Sequence, residues 1–115
     1  MKKIVLVLFA AISISAFAAN STVTGYLVDL TCAAVDASQP GFGANHTKEC
    51  LQMADCAKGG YGVLTDDKKV IKFDKASNVK AKQFITQLKK TKDIKVNVTG
   101  TVTGEKIAVS KIQLL

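Results

Sequence analysis

The succession of strand, helix and strand that decides the fold lies in residues 70–102, VIKFDKASNVKAKQFITQLKKTKDIKVNVTGTV. The first four of these residues are β-branched or aromatic apart from one lysine, which favours a strand. Apolar residues then recur with the spacing of one helix face, for which we predict Ser77 or Asn78 as the N-cap. That face comprises Ala81, Phe84, Ile85 and Leu88. From residue 94 to residue 102, apolar and polar side chains alternate, which indicates a half-buried strand.

On either side of this stretch, the pattern adds three more strands. Residues 22–29 form the first strand, and a long connection at about 30–60 follows it. Residues 61–65 form a hairpin with the next strand, and 106–115 form the last strand, with a bulge near Ser110 where the apolar residues change face. Five strands with a helix between the third and fourth is the order of the OB-fold. We therefore predict a mainly β protein with one or two helices, built as a small five-stranded OB-like Greek-key barrel.

The composition is that of one small globular domain. The chain has 115 residues, of which 48% are hydrophobic and 22% are charged. This length leaves no room for a second independent core, and these fractions exclude a disordered chain and a collagen-like repeat. All sixteen basic residues are lysines, and the formal net charge is +7.

Residues 1–18 predict a cleaved signal peptide. Two lysines form a positive start, an apolar run follows at 4–12, and Ala16-Phe17-Ala18 offers small residues to a signal peptidase. The apolar run is too short to span a membrane, and no cysteine follows it closely for lipid attachment. We expect a single mature domain at 19–115 that is periplasmic or secreted, where disulfides persist.

The connection at about 30–60 contains a possible metal site. It holds all three cysteines and the only histidine of the chain, namely Cys32, His46, Cys50 and Cys56. Three thiolates and an imidazole form a Cys3His set that suits zinc or copper. Four protein ligands fill a tetrahedral shell, so the site would be structural or sequestering rather than catalytic. Asp29, three residues before the first cysteine, could orient a ligand from behind. An aspartate at this place more often ends the strand and caps the next turn.

A short helix would bring part of this set together. Asn45 can cap a helix over 46–54, in which His46 and Cys50 lie one turn apart on the same face. Cys56 would follow the end of that helix, and Cys32 the end of the first strand. The four side chains would then close around the long connection.

The same cysteines allow a disulfide instead of a metal site. A bridge from Cys32 to Cys50 or Cys56 would staple the connection to the first strand and stabilise the fold by about 3–4 kcal/mol. Cys50 and Cys56 are poorly placed to pair with each other, because they would lie on different faces of a continuous helix. In this alternative the protein is a disulfide-stapled binding module for a cell-envelope component, with no metal. Thiol redox chemistry is less favoured, since the chain has no Cys-x-x-Cys pair.

Other function classes receive little support. OB-folds often bind single strands, but positive charge carried only by lysine and an aromatic content of 6% argue against nucleic acid. Asp66 and Asp67 are turn residues in a hairpin, and no nucleophile, base and oxyanion group can be assembled, so we expect no enzyme. The net charge of +5 in residues 19–115 predicts weak attraction to anionic envelope polymers, without membrane insertion.

Several motifs together resemble a group of small exported bacterial proteins of unknown function. They are Thr24-Gly25-Tyr26-Leu27-Val28-Asp29-x-x-Cys32, His46-x-x-x-Cys50…Cys56-x-x-Gly59-x-Tyr61-Gly62-Val63-Leu64 and Val98-Thr99-Gly100-Thr101-Val102. Proteins of this group have an OB-like barrel with a Cys/His-rich segment after the first strand. The resemblance implies export, the barrel and a role for the Asp-x-x-Cys and His…Cys…Cys positions, and it implies no particular activity.

Overall fold

The computed structural model of the protein describes residues 19–115, and the predicted signal peptide at 1–18 lies outside the described residues. The strands in the described range are β1 (Ala19–Asp29), β2 (Tyr61–Leu64), β3 (Val70–Phe73), β4 (Lys95–Thr103) and β5 (Lys106–Leu114). The helices in the same range are α1 (Leu30–Asp36), α2 (Phe42–Asn45), α3 (Lys48–Gln52), α4 (Ala54–Gly59) and α5 (Lys75–Thr86).

The strands form a closed barrel in the order β1-β2-β3-β5-β4. Every neighbouring pair is antiparallel except β3 and β5, which run parallel with Phe73 opposite Ile107. The long helix α5 follows β3 in the chain and packs against β3 and β5. The small, mainly β barrel with a helix between its third and fourth strands confirms the predicted fold class.

Alternating side chains of the strands fill the barrel. In β4, Val96 and Val98 are completely buried, whereas the alternate residues Lys95 and Asn97 are only half-buried. This alternation is the period of a strand with one face in the core. The rest of the core includes Leu27, Tyr61, Val63, Phe73 and Ile107. Two of the few aromatic side chains are therefore used for packing.

The predicted bulge near Ser110 is confirmed. Thr99 pairs with Lys111 and Gly100 pairs with Val109, so that Ser110 has no opposite residue on β4. The extra residue changes the face on which the following apolar side chains lie, as the sequence pattern requires. The Ser110 hydroxyl donates a hydrogen bond to the Thr99 carbonyl at 3.0 Å.

Helix α5 begins earlier than predicted, because Asp74 is its N-cap. The predicted caps are engaged elsewhere. The Ser77 hydroxyl donates to Asp74 Oδ1 at 2.5 Å and accepts from the Val109 N–H at 2.7 Å, so it joins α5 to β5. The Asn78 Oδ1 accepts from the Tyr61 N–H at 2.9 Å. Tertiary contacts therefore use the two side chains that the local pattern assigns to capping.

The connection between β1 and β2 folds differently from the prediction of one helix over 46–54. Four short helices occupy it, and His46 lies between two of them with extended backbone dihedrals. Thr47, rather than Asn45, caps α3 by accepting a hydrogen bond from the Cys50 N–H at 3.1 Å. His46 and Cys50 therefore do not share a helix face.

Contacts with a distant segment explain where α3 begins. The Lys48 N–H donates to the Thr91 carbonyl at 2.7 Å, and Thr47 forms an isolated β-bridge with Lys92. The Lys48 Nζ also donates to the carbonyl of Leu88 at 2.5 Å. These bonds hold the start of α3 against the loop between α5 and β4. No helix among residues 19–115 has both the length and the apolar character that a membrane crossing requires.

Candidate functional site

The candidate site is built around Asp29, the last residue of β1. Its side chain is completely buried, and it is also the N-cap of α1, where Oδ2 accepts a hydrogen bond from the Cys32 N–H at 2.8 Å. Burial of a carboxylate is costly unless its oxygens have partners. Asp29 is both buried and a helix cap because β1 ends inside the protein and α1 begins at the next residue.

His46 supplies the second partner of this carboxylate. Its Nε2 lies 2.6 Å from Asp29 Oδ1, and the residue is 6% exposed. An ionised carboxylate only accepts hydrogen bonds, so Nε2 is the donor. The Phe42 ring packs beside the imidazole with 4.9 Å between ring centroids. A buried pair of this kind holds both side chains in one orientation.

A close approach of α2 to β1 delivers His46 to this place. Gly43 of α2 is buried, and a Cβ atom at that position would lie 2.5 Å from the Tyr26 ring of β1. Any other residue would push the helix away from the strand. Glycine therefore lets the end of α2, where His46 follows, reach the end of β1.

Two thiols complete the cluster. Cys32 lies on α1 and Cys56 on α4, and their sulfur atoms and a carboxylate oxygen of Asp29 all lie within 4.8 Å of one another. Asp29 is completely buried and Cys56 is buried, whereas Cys32 is half-buried. The solvent therefore reaches the cluster from the side of Cys32.

The contact between α1 and α4 depends on a small residue. A Cβ atom at Gly59, the last residue of α4, would collide with the Thr31 hydroxyl of α1. Without that side chain the two helices come close enough for their cysteines to meet. We refer to Asp29, Cys32 and Cys56 together as the thiol–carboxylate cluster.

The cluster is electrostatically unfavourable for thiolates. Burial raises the pKa of Cys32 to about 12, and the negative charge of Asp29 and the neighbouring sulfur of Cys56 act in the same direction. Burial and the Asp29 charge also raise the pKa of Cys56. Both thiols are therefore protonated at neutral pH. A cation among the three groups would reverse this effect, because it stabilises the deprotonated sulfur.

Tyr61 borders the same cluster from β2. Burial raises the pKa of its phenol, and the charges of Asp29 and Cys56 contribute. Its hydroxyl donates a hydrogen bond to the Leu51 carbonyl of α3 at 2.8 Å. This bond fixes α3 to strand β2 of the barrel. The sequence motif contains Tyr61, but nothing in its local pattern indicated this contact.

The structure brings together some of the residues that the sequence proposed and separates others. Cys32 and Cys56 lie in the cluster, and His46 reaches it through Asp29. Cys50 lies half-buried on α3, close enough for its charge to raise the pKa of Cys56 but outside the group of mutually adjacent ligand atoms. Asp29 was expected to lie behind the metal ligands, but one of its carboxylate oxygens lies beside the two sulfur atoms.

A sequence signal for the central role of Asp29 does exist. The Asp-x-x-Cys spacing is that of an N-cap and the third residue after it, whose N–H the cap accepts. This spacing alone brings the Asp29 carboxylate next to the backbone N–H of Cys32. The position of Cys56, by contrast, depends on the packing of α4 on α1.

Comparison of the chain with protein-family models, with curated proteins and with solved structures finds no match. The function is therefore argued from the residues of the cluster.

Proposed function

We propose that this protein is a small exported metal-binding protein that holds zinc or copper in the thiol–carboxylate cluster. The observation that supports this proposal is the mutual distance of at most 4.8 Å between the two sulfur atoms and a carboxylate oxygen. Thiolate sulfur selects soft or borderline ions such as Cu(I) and Zn(II), and a carboxylate oxygen is also a known zinc ligand. The two thiols lose their protons as the ion binds.

The proposed ligands are Cys32, Cys56 and Asp29. Three protein ligands leave one tetrahedral position for water or an external donor. This differs from a site closed by four side chains, and it suits an ion that is taken up and passed on. Sequestration or delivery of the metal is therefore the favoured role, in line with export from the cytoplasm.

His46 has a positioning role in this proposal. Its Nε2 donates to Asp29 Oδ1, while the Cys32 N–H occupies Oδ2. The two donors fix the carboxylate plane and leave each oxygen one further lone pair. Such partners of a ligand commonly change metal affinity about 10–100-fold when they are removed.

Zinc titration of the reduced mature chain, residues 19–115, against a competing chelator tests this proposal. We expect one ion per chain, and an affinity in Cys32→Ser and in Cys56→Ser that falls by more than the about 10–100-fold typical of losing a hydrogen-bond partner of a ligand, because each loses a thiolate ligand itself. Cys50→Ser is the matched control, and its affinity should stay within about threefold of wild type. An equal loss in Cys50→Ser would favour the Cys3His set instead, and absence of binding by the reduced wild type would contradict the proposal.

A disulfide-stapled module is the second candidate, favoured by the nearness of the Cys32 and Cys56 sulfur atoms. A bridge between them would tie α1 to α4 and stabilise the fold by about 3–4 kcal/mol in the chain-entropy view. This molecule would bind an envelope component through the barrel surface. Protein purified from the periplasm would then be lighter by two hydrogens, and its melting temperature would fall with reductant but not with chelator. The metal-binding protein shows the reverse dependence.

A further inference from the structure

Both candidate chemistries use the same two sulfur atoms. Cys32 and Cys56 are carried by two short helices that contact each other, and their sulfur atoms lie within 4.8 Å. A disulfide needs about 2.0 Å between the sulfur atoms, so the two sulfur atoms must move closer together before the bond forms. A disulfide sulfur has lost the negative charge with which it would bind an ion.

We propose that the pair Cys32 and Cys56 is a redox switch of the metal site, which binds the ion as a dithiol and releases it when the two sulfur atoms form a disulfide. This inference rests on the proposed metal-binding function. It adds to that function the condition under which the ion is held.

Thiol–disulfide exchange with a small-molecule disulfide balances this step. The Cys32 thiolate attacks one sulfur of the oxidant, which forms a mixed disulfide and expels one thiolate. The Cys56 thiolate then attacks the Cys32 sulfur, which forms the internal bond and expels the second thiolate. Two electrons pass to the oxidant, and the two cysteine protons end on the two small thiols. When the metal was bound, the two cysteines have already lost their protons, so the expelled thiolates take up protons from the solvent and the ion leaves with its charge unchanged.

Exposure gives the order of attack. Cys32 is half-buried and Cys56 is only 6% exposed, so an oxidant in solution reaches Cys32 first. Cys50 lies outside the cluster on α3 and is not needed for the reaction.

The test uses the mature chain with Cys50→Ser, which leaves only the proposed pair. The protein is equilibrated in buffers with different ratios of reduced and oxidised glutathione, then mapped by mass spectrometry after non-reducing proteolysis. Zinc binding is measured on the same samples by competition with a chelator. We expect a reversible link between Cys32 and Cys56, and an affinity at least about 100-fold lower in the linked form. Re-reduction should restore binding.

Two outcomes would overturn the switch while the metal site stands. Either the reduced protein binds zinc but forms only mixed disulfides with glutathione, or the linked protein keeps its zinc. If the reduced protein binds no zinc, the proposed function itself fails, whatever the disulfide map shows. Cys56→Ser in the same background is the matched control, since it should stop at the mixed disulfide on Cys32.

Discussion

Two aspartates of this protein occupy the same local position and do different work. Asp29 ends β1 and caps α1, while Asp74 follows β3 and caps α5, each accepting from the N–H three residues ahead. That third residue is Cys32 after Asp29 and Ser77 after Asp74. The serine hydroxyl bonds both to its cap and to β5, whereas the cysteine sulfur joins the thiol–carboxylate cluster.

The difference between the two caps lies in what surrounds them. Asp74 is half-buried, and hydrogen bonds from Ser77 lower the pKa of its carboxyl group. Its Oδ1 accepts from both the N–H and the hydroxyl of Ser77, so it stabilises the start of α5 and orients the hydroxyl that bonds to β5. Asp29 is fully buried beside two thiols whose pKa its charge helps to raise. A cap of this second kind lies next to two protonated thiols, whose deprotonated form a cation would stabilise.

Replacement of each cap by alanine should separate the two regions most strongly. Asp29→Ala removes one member of a buried pair with His46, so we expect a loss of about 3–5 kcal/mol in the free energy of unfolding. Asp74→Ala removes a half-buried cap and should cost about 1–2 kcal/mol. Urea denaturation of the metal-free, reduced proteins measures both. A larger loss in Asp74→Ala would refute the contrast drawn between them.

The second largest expected effect is a lower reactivity of Cys32 in the folded protein than in the unfolded chain. Its pKa rises from 9.0 to about 12 in the fold. The thiolate fraction then falls, partly offset by the higher nucleophilicity of a more basic sulfur, and we expect alkylation about 50-fold slower at pH 7.5 than in the urea-unfolded chain. The rate in the folded protein should rise about tenfold for each pH unit until the pKa is approached.

Mass-spectrometric mapping of iodoacetamide adducts provides the measurement, with the same peptide from the unfolded chain as the reference. Equal rates in the folded and unfolded chains would show that Cys32 is not desolvated by the cluster. Added zinc should slow the alkylation of Cys32 in the folded protein further, because the ion would bind this sulfur in the proposed site.

The smallest expected effect is the acid dependence contributed by Asp74. Its pKa is lowered in the folded state, so below about pH 4 the unfolded chain takes up the proton first. The stabilisation is therefore complete above the unfolded pKa and is lost as the pH falls through the lowered folded value. Asp74→Asn should flatten the fall of the free energy of unfolding below about pH 4 relative to wild type. An unchanged acid slope would mean that Ser77 does not favour the ionised form.

The barrel could be predicted because the alternation of apolar and polar residues along each strand shows which side chains are buried. Val96 and Val98 alternate with polar residues in β4, and the change of parity around Ser110 located the bulge. The hairpin of β2 and β3 was equally visible. The start of α5 was misplaced, since Ser77 and Asn78 use their side chains on β5 and β2 instead of on their own helix.

The candidate site could be predicted only in part. Composition drew attention to Cys32, His46, Cys50 and Cys56, and the spacing of three residues placed Asp29 next to Cys32. The predicted helix over 46–54 placed His46 and Cys50 on one face, but the bonds of Thr47 and Lys48 to the loop before β4 make α3 begin later. Local patterns do not contain such contacts, because their partners are forty or more positions away in the chain.

Periodicity and local capping thus determined the succession of the strands along the chain, the bulge near Ser110 and the hydrogen bond between Asp29 and Cys32. Each of these features depends on residues a few positions apart. Only the tertiary structure decided that Cys56 meets Cys32, that His46 bonds to Asp29 and that Cys50 stays outside. The physical reason is that α1, α2 and α4 are short helices whose positions are set by packing on the barrel and on each other. Their close approach at Gly43 and Gly59 places the two sulfur atoms and the carboxylate together.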